Sequence, residues 1–167
     1  MTIRLILILI LLGSCNCDEY YKKDEKIIGR LTDYKDSYKL ISENYDFLKS
    51  KDLSFKSGSP GLHGLSIDFE KIAKLTKNED NEILTSIKEL WDKGIIDKSG
   101  EITFSIYNDS SSIDFYVKRC RKIEHIVYFG ESDMYDNRGQ SDDYSIFSLD
   151  SLEGHWRYVI QQVNSGR

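Results

Sequence analysis

Glu101-Ile102-Thr103-Phe104-Ser105-Ile106-Tyr107 alternates polar and apolar residues without a break. A period of two puts Ile102, Phe104 and Ile106 on one face of a strand and the remaining residues on the other. Downstream, Ile113 to Cys120 reads as the next strand, with Ser110 to Ser112 as the turn before it, and Glu124 to Phe129 reads as a third. His155 to Gln162 closes the set, carrying Trp156, Tyr158 and Ile160 on one face and Arg157 and Gln161 on the other. Ile95-Ile96 followed by Asp97-Lys98-Ser99-Gly100 predicts a short hairpin leading into the first strand.

Upstream of Gly94 the period is that of a helix. Leu31, Tyr34, Tyr38, Ile41, Tyr45 and Leu48 recur three and four residues apart, predicting a helix over 31–51. A second helical stretch covers 68–93 and breaks near Asn78. Its later piece carries Ile83, Leu84, Ile87, Leu90 and Trp91 on one stripe. Thr76 to Glu79 has capping-box spacing, and Gly94 suits a helix terminator. Between the two helical stretches, Ser57 to Gly64 is the strongest breaker cluster and reads as an interhelix loop. Its glycines and His63 leave a close backbone approach to a ligand as the alternative. Helices first and strands afterwards predict an α+β fold, with N-terminal helices packed on one face of a C-terminal antiparallel sheet of about four strands.

The N-terminus carries a different message. Arg4 is followed by an unbroken apolar run from Leu5 to Leu12 and then by Gly13-Ser14-Cys15. A basic residue, a short apolar core and small residues before a cut form an export signal. Eight apolar residues fall well short of the roughly 20 that a membrane-spanning helix needs. Leu12-Gly13-Ser14-Cys15 resembles the bacterial lipobox, at which the cysteine is lipidated and the chain is cut before it. The resemblance implies a signal peptide over 1–14, a lipid anchor on Cys15 with a flexible tether over 15–29, and one domain over 30–167. An ordinary secretory signal with Cys15 as a plain thiol is the alternative. By resemblance to enterobacterial sorting rules, Asn16 after the anchor favours the outer membrane. Asp18-Glu19 is similar to surface-export signals of Bacteroidetes lipoproteins.

The chain has 167 residues, with 23 Lys and Arg against 28 Asp and Glu. Without Arg4 the balance is 22 to 28, a net charge of −6, which argues against a nucleic-acid partner. The one basic cluster, Lys118-Arg119-Cys120-Arg121-Lys122, sits where two predicted strands meet. With Cys15 taken by lipid, Cys17 and Cys120 remain. Either they pair in the oxidising compartment, or Cys120 is a buried small hydrophobe and Cys17 stays free in the tether.

Chemistry-bearing motifs are sparse. Glu131, Asp133, Asp136, Asp142 and Asp143 cluster in a long segment between predicted strands, which suits a loop that contacts a partner. An EF-hand reading fails on register: with Asp133 first, Arg138 takes the glycine position, and placing Gly139 there puts Met134 first. His63, His125 and His155 share no ligand spacing, which argues against a zinc site; no metal and no cofactor is expected, with a looser calcium site in the acidic loop as the alternative. His125 reads as a sheet-face side chain with a local hydrogen bond. No nucleophile elbow occurs, although a Ser-His-Asp set can assemble from distant positions. Asp114 with Glu124, or Glu101 with Asp114, would mark glycoside chemistry if they faced one cleft. Trp156 and Tyr158 read as core residues, with sugar stacking as the alternative.

The mature chain also resembles small Bacteroidetes lipoproteins that end in a Trp/Tyr-rich strand, here His155-Trp156-Arg157-Tyr158-Val159. That resemblance implies no activity. Together these features lead us to expect a lipid-anchored, exported, non-catalytic module that binds an envelope protein, with an inhibitor or immunity role as one form. An unrecognised envelope hydrolase with His63 or His155 as base, or a purely structural component, are the competing expectations.

Overall fold

A computed structural model describes residues 23–56, 61–107, 110–119, 122–130, 140–141 and 144–163. Among the described residues, five α-helices and one antiparallel sheet make an α+β fold. Helices α1 (Glu25–Ile28), α2 (Leu31–Glu43) and α3 (Tyr45–Leu48) come first, followed by a π-turn over Lys49–Leu53. Strands β1 (Ser54–Lys56) and β2 (Leu62–Asp68) precede α4 (Phe69–Asn78) and α5 (Glu82–Asp92). Then come β3 (Glu101–Tyr107), β4 (Ser110–Arg119), β5 (Lys122–Tyr128), β6 (Gln140–Ser141), β7 (Tyr144–Ser151) and β8 (Trp156–Val163).

The sheet order is β1-β2-β3-β4-β5-β8-β7-β6. Seven strands have three residues or more, and the two-residue β6 lies at one edge. The expectation of about four strands behind a wholly N-terminal helical layer is therefore corrected. The four expected strands are present as β3, β4, β5 and β8, and β2 and β7 extend them on either side. α4 and α5 are inserted between β2 and β3. Ser110 to Ser112 lie within β4, opposite Tyr107, Ile106 and Ser105, and do not form a turn. Ile95 and Ile96 form a buried bend in place of a hairpin.

Each boundary has a local cause. Asp68 caps α4 by accepting from the Lys71 N–H at 2.8 Å. The Asn81 side chain accepts from the N–H groups of Ile83 and Leu84, at 3.0 and 3.2 Å, and starts α5. The cap is therefore Asn81, and not Thr76 as the capping-box spacing indicated. Gly94 follows α5 with φ +64°, a conformation that costs glycine little. Asp52, with φ 59°, ends the π-turn and redirects the chain into β1.

All five helices pack on one face of the sheet. Tyr34, Ile41, Leu48, Ile72, Leu84, Ile87 and Trp91 meet Leu65, Ile67, Ile102, Phe104, Ile113, Phe115, Ile126 and Tyr158 in one buried cluster. The strand residues in that cluster share a face by register, for Phe104 pairs with Ile113, Phe115 with Ile126, and Ile126 with Tyr158. The segment read as tether also contributes: Ile27 of α1 is buried in this core.

Candidate functional site

Three places in the fold bring polar side chains together. The first is on the helix side, where β4 and β5 slip register. Tyr116 pairs with His125 and Lys118 with Glu124, so Val117 is the extra residue of a bulge. The Val117 carbonyl accepts from the Asp97 N–H at 2.9 Å. The bulge turns Lys118 toward the helices, where its Nζ lies 3.6 Å from Asp24 Oδ2 and 4.0 Å from Glu124 Oε2. Glu124 is fully buried and accepts from the Tyr158 hydroxyl at 2.9 Å. That hydroxyl in turn accepts from the Asp24 N–H at 3.1 Å. Burial pushes the Tyr158 phenol far above its ordinary range; the Asp24 N–H opposes this and the Glu124 carboxylate adds to it. Lys23, 2.9 Å from Asp150, fastens the same stretch of chain to β7. Sequence reasoning missed this knot, although a glutamate inside the apolar run Ile123 to Val127 was a usable sign of a buried partner.

The second place is the sheet face opposite the five described helices. His125 is 1% exposed, with Nδ1 2.9 Å from Asp114 Oδ1 and Nε2 3.1 Å from Gln161 Oε1. The Tyr116 ring stands 4.3 Å from the imidazole. A carboxylate on Nδ1 fixes the ring orientation, as in a catalytic base. The nitrogen that such a base would use already faces Gln161. Around this group the face is apolar at Ile123, Val127 and Val159, all buried. It turns half-buried and polar at Ser66, Thr103, Ser105 and Ser112.

The third place is a groove of about 320 Å³ between α2 and α5. Leu40, Leu90 and Ile95 line it, and Asp33, Asp36 and Glu89 bring three carboxylates to it. Lys93 pairs with Glu89, which raises the lysine's pKa. Nothing in the sequence pointed here, because the groove depends on how two separate helices pack.

The residues singled out in sequence are distributed as follows. Cys15, Cys17 and Cys120 lie outside the described residues, as do Glu131, Asp133, Asp136, Asp142 and Asp143. His63 sits in β2 with its ring 6.1 Å from that of Tyr45, and His155 is exposed beside Tyr128. Among the described residues, no hydrogen bond joins either histidine to a hydroxyl or carboxylate. Asp114 and Glu124 occupy opposite faces and share no cleft; Asp114 pairs with Val127, and Glu124 with Ile160. Glu101 shares the Asp114 face, where the Asp114 carboxylate is engaged by His125. Trp156 and Tyr158 are buried core residues and not a sugar platform. No three metal-ligating side chains converge among the described residues, and no described helix is long and apolar enough to cross a membrane. No protein family, curated protein or solved structure matches the chain.

Proposed function

We propose that this chain is a lipid-anchored envelope lipoprotein, held by Cys15 and probing its surroundings as a non-catalytic binding module for a basic protein segment. An inhibitor or immunity-type role is its concrete form. The observation that carries the reading is the groove between α2 and α5. Its lining of Leu40, Leu90 and Ile95 suits the aliphatic stem of a lysine or arginine, and Asp33 and Asp36 suit the charged head, while Glu89 is already paired with Lys93. An acidic surface also speeds encounter with a basic partner. We assign the acidic residues Glu131, Asp133, Asp136, Asp142 and Asp143 to the same contact, on charge alone.

Two experiments test the two halves. Cys15→Ser removes acyl labelling and releases the protein from the membrane fraction; continued labelling refutes the anchor. For binding, the mature domain recovers a basic partner from native envelope. Asp33→Asn with Asp36→Asn, and separately Asp142→Lys with Asp143→Lys, then weaken that complex and flatten its salt dependence. If neither pair changes the affinity for any recovered partner, the acidic contact is refuted. The competing hydrolase reading names His63 or His155 as base, and neither is bonded to a hydroxyl or carboxylate among the described residues; a hydrolase built instead on the His125–Asp114 couple is the form left to test. It requires activity on an envelope substrate that His125→Gln abolishes while leaving the fold intact.

A further inference from the structure

Among the described residues, Lys93 is the one cation lining the groove between α2 and α5. Asp33, Asp36 and Leu40 reach the groove from one face of α2; Glu89, Leu90 and the C-cap residue Lys93 reach it from one face of α5. Leu90 and Ile95 are buried and make its floor, with Leu40 half-buried beside them. The Lys93 ammonium is bonded to the Glu89 carboxylate, and both side chains remain largely exposed. No ion pair engages Asp33 or Asp36 among the described residues. The backbone under Lys93 is held on both sides. Its N–H donates to the Glu89 carbonyl at 2.8 Å, and its own carbonyl accepts from Arg30 Nη1 at 3.2 Å. What can move is the four-carbon stem, which swings without any change in the helix.

We infer that Lys93 is a tethered competitor for this groove: its ammonium holds Glu89 until an arginine head from the partner displaces it, and Glu89 then joins Asp33 and Asp36 around the guanidinium. This rests on the proposed reading of the groove as a site for a basic segment. The strength of the internal pair sets the ligand class. An exposed glutamate and lysine four residues apart shift an equilibrium only about two-fold, so the pair opens readily. Displacing it costs every incoming cation the same amount. A lysine head then merely replaces one ammonium by another at Glu89 and is left with no gain there. An arginine head keeps a surplus. Its planar fork takes a carboxylate through two parallel N–H···O bonds, and it is more weakly hydrated than an ammonium. Its stem lies along Leu40, Leu90 and Ile95. Lys93 therefore acts as a threshold that an arginine crosses and a solitary ammonium does not.

The test titrates the full chain with n-butylguanidinium, an arginine stem and head without a backbone, and with n-butylammonium, its lysine counterpart. NMR shifts of the Leu40, Leu90 and Ile95 methyls report occupation of the groove, and the Lys93 Cε resonance reports displacement. The expected result is saturable methyl shifts with butylguanidinium, several-fold tighter than with butylammonium, and movement of Lys93 Cε along the same curve. Lys93→Met keeps the bulk of the stem and removes its charge. It tightens both probes by about three-fold, the effect of one charge roughly 6 Å away in water. Lys88→Met breaks the neighbouring pair with Asp92 outside the groove and leaves both affinities unchanged. Tightening by Lys93→Met no greater than that by Lys88→Met overturns the competitor and spares the groove. So does a Lys93 Cε resonance that stays still while the methyls saturate, a reading that needs no variant. Equal affinity for the two probes overturns the assignment to arginine. No saturable methyl shift, in the native chain or in Lys93→Met, overturns the cation reading of the groove and the competitor with it.

Discussion

Tyr158, in the last strand, donates its hydroxyl proton to the fully buried carboxylate of Glu124 at 2.9 Å. A buried carboxylate is costly unless it is hydrogen-bonded and paired. Here the phenol supplies the hydrogen bond and Lys118 the charge, and the phenol also receives the Asp24 N–H. One hydroxyl thereby joins two stretches of chain 134 residues apart.

Tyr158→Phe deletes that hydroxyl and leaves the Asp24 N–H and Glu124 without it. The expected loss is about 1–3 kcal/mol of unfolding free energy, measured by urea denaturation. An unchanged midpoint would mean that the knot contributes nothing.

Burial raises the phenol pKa of both Tyr34 and Tyr158 above the ordinary value of 10.0. Tyr34 donates to the Ile95 carbonyl at 3.1 Å, and Arg30 only partly offsets its burial. A group whose folded pKa is raised binds its proton more tightly in the folded state. Its stabilisation is complete below the unfolded pKa and is lost as pH rises toward the folded one. Melting temperature should therefore fall with pH above about 10. In Tyr158→Phe that fall becomes shallower; an identical slope in the variant contradicts the assignment.

Asp114→Ala leaves the His125 imidazole buried without its acceptor and should cost roughly 1–3 kcal/mol. Combined with His125→Ala, a double-mutant cycle should give a coupling of about 0.5–3 kcal/mol. Additive losses would show that the 2.9 Å contact carries no energy.

Gly64→Ala tests a close approach between strands. A Cβ at Gly64 would stand 1.9 Å from the Phe104 carbonyl oxygen and 2.8 Å from the Phe55 ring. Because one neighbour is backbone, relief requires the strands to shift. The expected loss is about 1–3 kcal/mol or more by thermal melting. Gly94→Ala provides the contrast: nothing lies within 4 Å of its Cβ, and only the positive φ opposes it.

Gly64 also explains one failure of the sequence reading. Glycines in a run with Ser57 and Pro60 look like loop, yet a glycine inside a strand marks close backbone approach equally well. The alternation His63, Leu65, Ile67 on the helix side was there, hidden by the glycines on either side of Leu62. β7 was missed for a related reason, because Tyr144 to Ser151 breaks its alternation at a register shift between Ile146 and Ser148. By contrast β3, α4 and α5 were legible, since each carries an uninterrupted period and a capping or terminating residue. His125 as a locally bonded sheet-face residue was also legible, although its partners were not. Asp114 lies 11 positions away and Gln161 36, and only strand pairing brings them to it.

The position of β8 bears on how the chain folds. The last of the described strands in sequence is not added at an edge; it is inserted between β5 and β7. Until its residues emerge, β5 has no neighbour on that side and β7 cannot join the sheet. The Asp24–Tyr158 contact, separated by 134 residues, must also wait. Such long-range pairings are slow to form because loop closure comes before any reward. A chain so arranged cannot complete its sheet before β8 is available, however early the other strands are made.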